Sequence, residues 1–372
     1  MSADTSAELL LPSEDLSADM SFFDALGFRL NTIYPADNPR VAVMRGHGMS
    51  LRLDREYSGP VSAVSLRVSE PEVFSQLIKS KLADLQFDSD GTALTCVAPN
   101  GTRVVIQAQD AGLVVPPTVH TLSVRRLIDG DPWIIGRAGM HYRDLIPDRL
   151  GGSVIASHIR IPEGGPVPDM VHYHVVGFQL IYCYRGWVRL VYEDQGPPFI
   201  LRAGDCVTQP PKIRHRVLEA SDQLEVIEIG VPAEHVTAID HELELPTPDV
   251  NPEREFDGQT FCHHLLSEAR WSSWRVTGFE SRDTGVARHS AGVADVQVAR
   301  PLGSLAENVT HDLRHSADIQ FCFVTTGSAT LATGGESREL NAGDAFVLPP
   351  ATEAHLISPS VDLELLEVML PG

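Results

Sequence analysis

The chain lacks any long apolar run: none of its 372 residues belongs to a stretch of the roughly 20 apolar side chains that a bilayer span needs. The opening MSADTSAELLLPSED has no cationic segment and only three consecutive leucines, so no secretory leader is expected. Positive charge is also short. Lys and Arg number 29 against 50 Asp and Glu, a formal charge of −21, and no basic stripe interrupts that balance. Such a surface repels phosphate backbones and anionic lipid, so neither nucleic acid nor membrane is expected as a partner. Cysteine is scarce and scattered: Cys96, Cys183, Cys206, Cys262 and Cys322 are odd in number and spread along the chain. That usage suits reduced thiols and a cytoplasmic location better than a disulfide scaffold. Aromatics reach only 6%, yet 43% apolar residues suffice for ordinary cores, and the length suggests two or three domains.

What is present concentrates in one run. His172-Tyr173-His174 is followed by Gln179 and Gly186, and then by Gly204, Pro210 and His215. Residues two apart on a strand share a face, so His172 and His174 point the same way. His215 adds a third imidazole from a later strand, and Gln179 an amide oxygen. Three neutral imidazoles and one oxygen suit a single divalent transition metal: iron, manganese, nickel, copper or zinc. Left without a metal, each buried polar group lacking a partner would cost on the order of 1–3 kcal/mol. The run resembles the two motifs of the cupin superfamily. The first reads G, HxH, three or four residues, E, six residues, G; the second reads G, five residues, P, a few residues, H. Gln179 stands where that family usually has Glu.

The chain also repeats itself about 140 residues apart, a period that marks duplicated domains rather than a solenoid. Arg143-Asp144 answers to Arg282-Asp283, RAGDCVTQPP (202–211) to NAGDAFVLPP (341–350), and LEVIEIGVP (224–232) to LELLEVMLP (363–371). Both copies consist of short β-branched and aromatic runs cut by Gly, Pro and Asp. The resemblance therefore implies a bicupin with barrels over 136–232 and 276–372, and linkers over 111–135 and 233–275. The second copy keeps His315 and Gln320, and His355 answers to His215 with one extra residue before it. Leu313 replaces His172, so this set, His315, Gln320 and His355, is expected to be degenerate. Arg143-Asp144 recurs in the copy without ligands, which implies a structural ion pair or turn. Cys262-His263-His264 is expected to lie in a plain linker or helix.

Residues 1–110 read differently, as strand and helix followed by further strands, twice over. The stretch FFDALGF…PADNPRVAVMRGHGMSLRL resembles a βαβββ module of the glyoxalase and extradiol-dioxygenase (vicinal oxygen chelate) superfamily. That superfamily carries its ligands on the first and last strands of its modules. Here those places hold Leu9–Leu11, Leu51–Asp54, Ser65–Val68 and Val104–Gln107, so no ligand set is expected. The fold class is thus mainly β: two tandem jelly-roll barrels preceded by a small α+β domain.

No catalytic acid or base emerges from the motifs. Alternation from Gln179 puts Ile181 and Cys183 inward, and the neighbouring strand offers His158 and Arg160, the latter as a clamp for a substrate carboxylate. Neutral ligands leave the ion's charge available to an anionic, chelating substrate. The resemblance then implies a metal-dependent enzyme. The leading expectation is a non-haem iron(II) dioxygenase acting on a small anionic aromatic, diketone-like or thiol substrate. A redox-neutral isomerase, cyclase or lyase on a sugar acid or keto acid is the alternative reaction, and a small-molecule sensor the non-enzymatic one. A homo-oligomer is compatible with all three.

Overall fold

A computed structural model describes residues 7–35, 39–109, 113–130, 132–303 and 309–371. It divides at Gly112 and Leu113 into two compact units. In the first unit, Leu9–Pro12, helix Leu16–Ala25, Arg29–Tyr34, Val41–Gly46 and Met49–Asp54 make one βαβββ module. Ala63–Val68, helix Pro71–Lys81, Asp88–Ser89, Leu94–Val97 and Arg103–Ala108 make a second. In each module the first strand pairs in parallel with the last, and the helix links strands that cannot be joined by a tight turn. Asp15 starts the first helix by accepting from the Ser17 and Ala18 amides, and Pro71 opens the second, where its missing N–H costs nothing. Helix and sheet residues of both modules, among them Phe23, Phe28, Leu53, Ile78 and Ile106, share one core.

The second unit holds two double-sheet antiparallel barrels. The large sheet of the first runs Ile134–Ile135, His141–Asp144, Ile155–Ile161, Leu224–Val231, Phe178–Arg185, Cys206–Thr208 and His263–His264. Its facing sheet runs Phe199–Arg202, Trp187–Tyr192, His215–Ala220, His172–His174 and Thr237–Ile239. The second barrel repeats this plan, with a large sheet from Trp271–Ser273 through Phe279–Asp283, Asp295–Pro301, Glu364–Leu370, Ile319–Thr326 and Ala345–Leu348 to Ser123–Arg125.

The last strand of each large sheet is borrowed. Ser123–Arg125 precedes the first barrel but pairs with Ala345–Leu348 of the second. His263–His264 precedes the second barrel but pairs with Cys206–Thr208 of the first. Segments expected as linkers thus each pair along the sheet edge of one barrel, covering the N–H and C=O rows of Ala345–Leu348 and Cys206–Thr208. Cys262-His263-His264 is accordingly neither linker nor helix. Cys262 is buried, and the Phe199 ring stacks on His263 at a centroid distance of 4.2 Å.

The large sheets pack face to face through one shared core that includes Tyr182, Tyr184, Ile227, Phe321, Phe323 and Val368. Arg143 and Arg282, both fully buried, cross this interface in opposite directions. Arg282 Nη2 donates to Gly204 O at 2.9 Å and to the Tyr182 hydroxyl at 3.2 Å; Arg143 Nη2 donates to Gly343 O. The repeated arginine is therefore a tie to the other barrel's Gly-Asp turn. Asp144 faces Arg149 at 3.6 Å. Gly204 and Gly343 adopt φ of +90° and +98°, and a Cβ there would meet Leu266 and Leu127 of the borrowed segments at 2.6 and 3.0 Å. The following aspartates, Asp205 and Asp344, accept from the Leu266 and Leu127 amides, both at 2.7 Å.

Candidate metal centre

Strand register assembles the histidines. His172 lies directly opposite His215 on adjacent strands, and His174 sits two residues along on the same face. One ring nitrogen from each of His172, His174 and His215 falls within 4.8 Å of the other two, and all three side chains are buried. Each ring is held from behind. His172 Nδ1 faces Met170 O at 2.8 Å, His215 Nδ1 faces Ile213 O at 3.0 Å, and His174 Nδ1 faces Thr237 Oγ1 at 2.9 Å. A carbonyl can only accept, so in His172 and His215 the proton sits on Nδ1 and Nε2 keeps its lone pair. Burial, reinforced by Arg137 and, for His174 and His215, by the neighbouring imidazoles, holds all three below the ordinary histidine range, His174 at about 3. Three neutral imidazoles gathered in this way fit a divalent transition metal, with His172 Nε2 facing the Arg137 guanidinium at 2.9 Å in this structure.

Gln179 is buried on the Phe178–Arg185 strand, with Nε2 donating to Glu228 Oε1 at 2.6 Å and Oε1 without a hydrogen-bond partner. The same arrangement recurs in the second barrel, where Gln320 donates to Glu367 at 2.5 Å and its Oε1 is also unpartnered. The amide–carboxyl pair therefore belongs to the duplicated framework, and only the histidines distinguish the first barrel. The second barrel fills its interior instead. Leu313 is fully buried among Trp274, Phe279, Phe346 and Leu356, and Arg275 reaches Glu367 at 2.5 Å. His315 turns Nε2 to Leu348 O at 3.0 Å. His355 contradicts its expected role as the counterpart of His215: Ala354 and Leu356 point inward, and His355 faces outward beside Thr333 and Glu353. One inserted residue inverts the faces of a strand.

A cavity of about 370 Å³ opens beside the three histidines. Ile181 lines it. Cys183 points into the same barrel but lies deeper, packed with Val188, Leu190 and Val207, and burial pushes its thiol up to about 12. It lines no part of the cavity. His158 and Arg160 are on the wrong face of their strand. The cavity receives Ile155, Ser157, Ile159 and Ile161, whereas His158 bonds Glu225 at 2.6 Å on the side facing the second barrel, against Tyr184 and Phe323. Arg160 stacks on Trp133, 4.4 Å from its ring centre.

Polar groups at the cavity that were not anticipated include Arg137, Glu228, His235 and Thr237. Burial raises Glu228 above the usual carboxylate range, partly offset by the Gln179 amide. The His235 ring lies 5.4 Å from that of His174. A signal for Glu228 existed, since LEVIEIGVP and LELLEVMLP keep a glutamate at the same place between apolar neighbours. Arg137, His235 and Thr237 come from segments without periodicity and left none.

Two antiparallel double-sheet barrels in tandem, each built on the same motif strands, settle the architecture. The fold is that of a bicupin. No family model and no curated protein sequence matches the chain. Among solved structures, salicylate 1,2-dioxygenase from Pseudaminobacter salicylatoxidans is similar at 16% identity and a TM-score of 0.48, over 71% of this chain and 88% of that one. A variant of oxalate decarboxylase from Bacillus subtilis is similar at 12% identity and a TM-score of 0.49, over 71% and 80%. No helix among the described residues is long and apolar enough to cross a membrane.

Proposed function

We propose that the first barrel of this bicupin is a metal-dependent enzyme site, with His172, His174, His215 and Gln179 as ligands. The reaction that suits it best is oxygen-dependent cleavage of a small anionic chelating substrate at iron(II). The observation carrying this reading is the all-imidazole cluster on the wall of a mostly apolar cavity. Bound iron(II) would supply Lewis acidity and a redox-active centre for dioxygen. The chain's own residues supply the rest. Met170 O, Ile213 O and Thr237 hold the rings in orientation. Ile155, Ile159, Ile181, Leu190 and Val226 exclude water from around the substrate and strengthen electrostatic contacts inside.

Glu228 supports a second reading. A buried carboxyl beside the cavity, raised above its usual range by burial, suits proton transfer in a redox-neutral isomerase or lyase. Iron-loaded protein assayed with catechol-like, diketone and thiol substrates in an oxygen electrode separates the two. Turnover is expected to consume oxygen and to stop under strict anaerobiosis. Undiminished anaerobic turnover overturns the dioxygenase reading and favours proton transfer by Glu228.

A further inference from the structure

We infer that Arg137 is the carboxylate-binding residue of this cavity, and that the substrate is an apolar-bodied 2-hydroxy or 2-oxo acid. The inference rests on the metal-site reading above and deepens it by naming a substrate class. Arg137 begins a short 3-10 turn, Arg137–Gly139, just before the His141–Asp144 strand. Ala138 within that turn has φ of +55°, a left-handed backbone that an alanine adopts only when its surroundings impose it. The side chain is 36% exposed and lines the cavity.

Two contacts aim the guanidinium. Nη1 donates to the carboxylate of Asp169, and Nη2 lies 2.9 Å from His172 Nε2. Asp169 is itself fixed, with its side chain 1% exposed and accepting from the Met170 and Val217 amides, both at 2.9 Å. One buried carboxylate thus ties the arginine to the segments carrying His172 and His215. A guanidinium held this way presents Nη2 at the very nitrogen proposed to bind metal. Once that lone pair is given to a cation, Nη2 needs another acceptor, and a carboxylate beside the metal supplies it. Among the described cavity-lining residues Arg137 is the sole arginine or lysine. A carboxylate entering apolar surroundings needs a charge-assisted donor, and Nη2 is the end of the guanidinium that Asp169 leaves open. The 2-oxygen of the acid would then chelate the metal while the apolar body meets Ile159, Ile181 and Val226.

In the second barrel Arg275 has its guanidinium nitrogens occupied within the fold, by Glu367 and by the Leu313 and Arg314 carbonyls. Arg137 is likewise paired with a buried carboxylate through Nη1, but its Nη2 stays at the cavity, facing His172 Nε2.

The test is anaerobic calorimetric titration of the cobalt(II)-loaded full chain with mandelate and with its neutral isostere mandelamide. Wild type should prefer mandelate about thirtyfold, the scale of one charge-assisted hydrogen bond. Arg137→Met should bring the two probes within about threefold, by weakening mandelate and leaving mandelamide unchanged, with cobalt stoichiometry intact. Arg137→Lys, which keeps charge without the fork, should restore part of the preference. A preference retained in Arg137→Met, equal weakening of both probes, or no preference in wild type each overturns the proposal. Binding alone is read, so these outcomes are independent of oxygen use: oxygen-independent turnover would sink the dioxygenase reading and leave the carboxylate site standing.

Discussion

Replacing His174 by leucine should make the metal-free protein less sensitive to acid. His174 is held neutral in the fold with a pKa near 3, first by burial and then by the charges of His172, His235 and Arg137. In the unfolded chain it titrates near the ordinary histidine value of 6.5. Below pH 6.5 the unfolded state therefore binds a proton that the folded state does not, and stability falls as pH falls. The loss begins near 6.5, grows by about 1.4 kcal/mol per pH unit, and stops once the folded pKa near 3 is passed. At pH 5 it amounts to about 2 kcal/mol for this one imidazole, a large share of the 5–15 kcal/mol typical of a domain. His172 and His215 are shifted the same way for the same reason and add to the trend. All four tryptophans, Trp133, Trp187, Trp271 and Trp274, lie in the second unit, so tryptophan fluorescence in urea reports on the barrels. After chelator treatment, His174→Leu should lose about 2 kcal/mol less than wild type between pH 7.5 and 5. The other titrating groups are common to both proteins; His215, whose lowering owes part to His174 but more to burial, changes in the same direction and adds to the difference. A second consequence concerns metal binding: the imidazoles already lack the competing proton, so binding at pH 7 should release almost none, and the calorimetric enthalpy should not depend on the buffer. Equal acid sensitivity in the two proteins would refute the claim that the fold holds His174 neutral.

Elemental analysis should give about one transition-metal ion per chain, and His172→Ala with His215→Ala should remove it, since two of three imidazoles are lost. A full equivalent surviving that double change would place a site in the second barrel. Arg282→Met should lower the stability of the two-barrel unit by about 3 kcal/mol, because the Gly204 carbonyl and Tyr182 hydroxyl lose a buried charged donor. Unfolding in urea checks it, and an unchanged midpoint would mean the interface relaxes around the loss. Arg160→Ala should leave metal content and substrate affinity within about twofold of wild type, as expected of a residue stacked on Trp133 outside the cavity.

Period-two alternation and duplication carried much of this reading. His172 and His174 had to share a face because strands alternate, and Leu313 marked the second barrel as filled because an apolar side chain cannot replace an imidazole ligand. The recurrence of Arg143 as Arg282, in a copy without ligands, marked it as structural. All these follow from local geometry and from comparing the chain with itself.

Other features depend on which segments meet in space. Alternation says that His158 and Arg160 share a face; the pairing of their strand with Leu224–Val231 and His141–Asp144 decides that this face looks toward the second barrel. His355 was lost to the same cause, a register changed by one residue. The partners of Ser123–Arg125 and His263–His264 lie far along the chain, so these borrowed strands read as linkers. Arg137, His235 and Thr237 reach the cavity from a short turn, a loop and a brief edge strand, none with a repeating pattern. The sequence by itself determined the barrels, their duplication and the three histidines, because those are written in spacing. Tertiary structure alone decided which charged groups surround the histidines, because that depends on strand register and chain crossing between residues with no local relation.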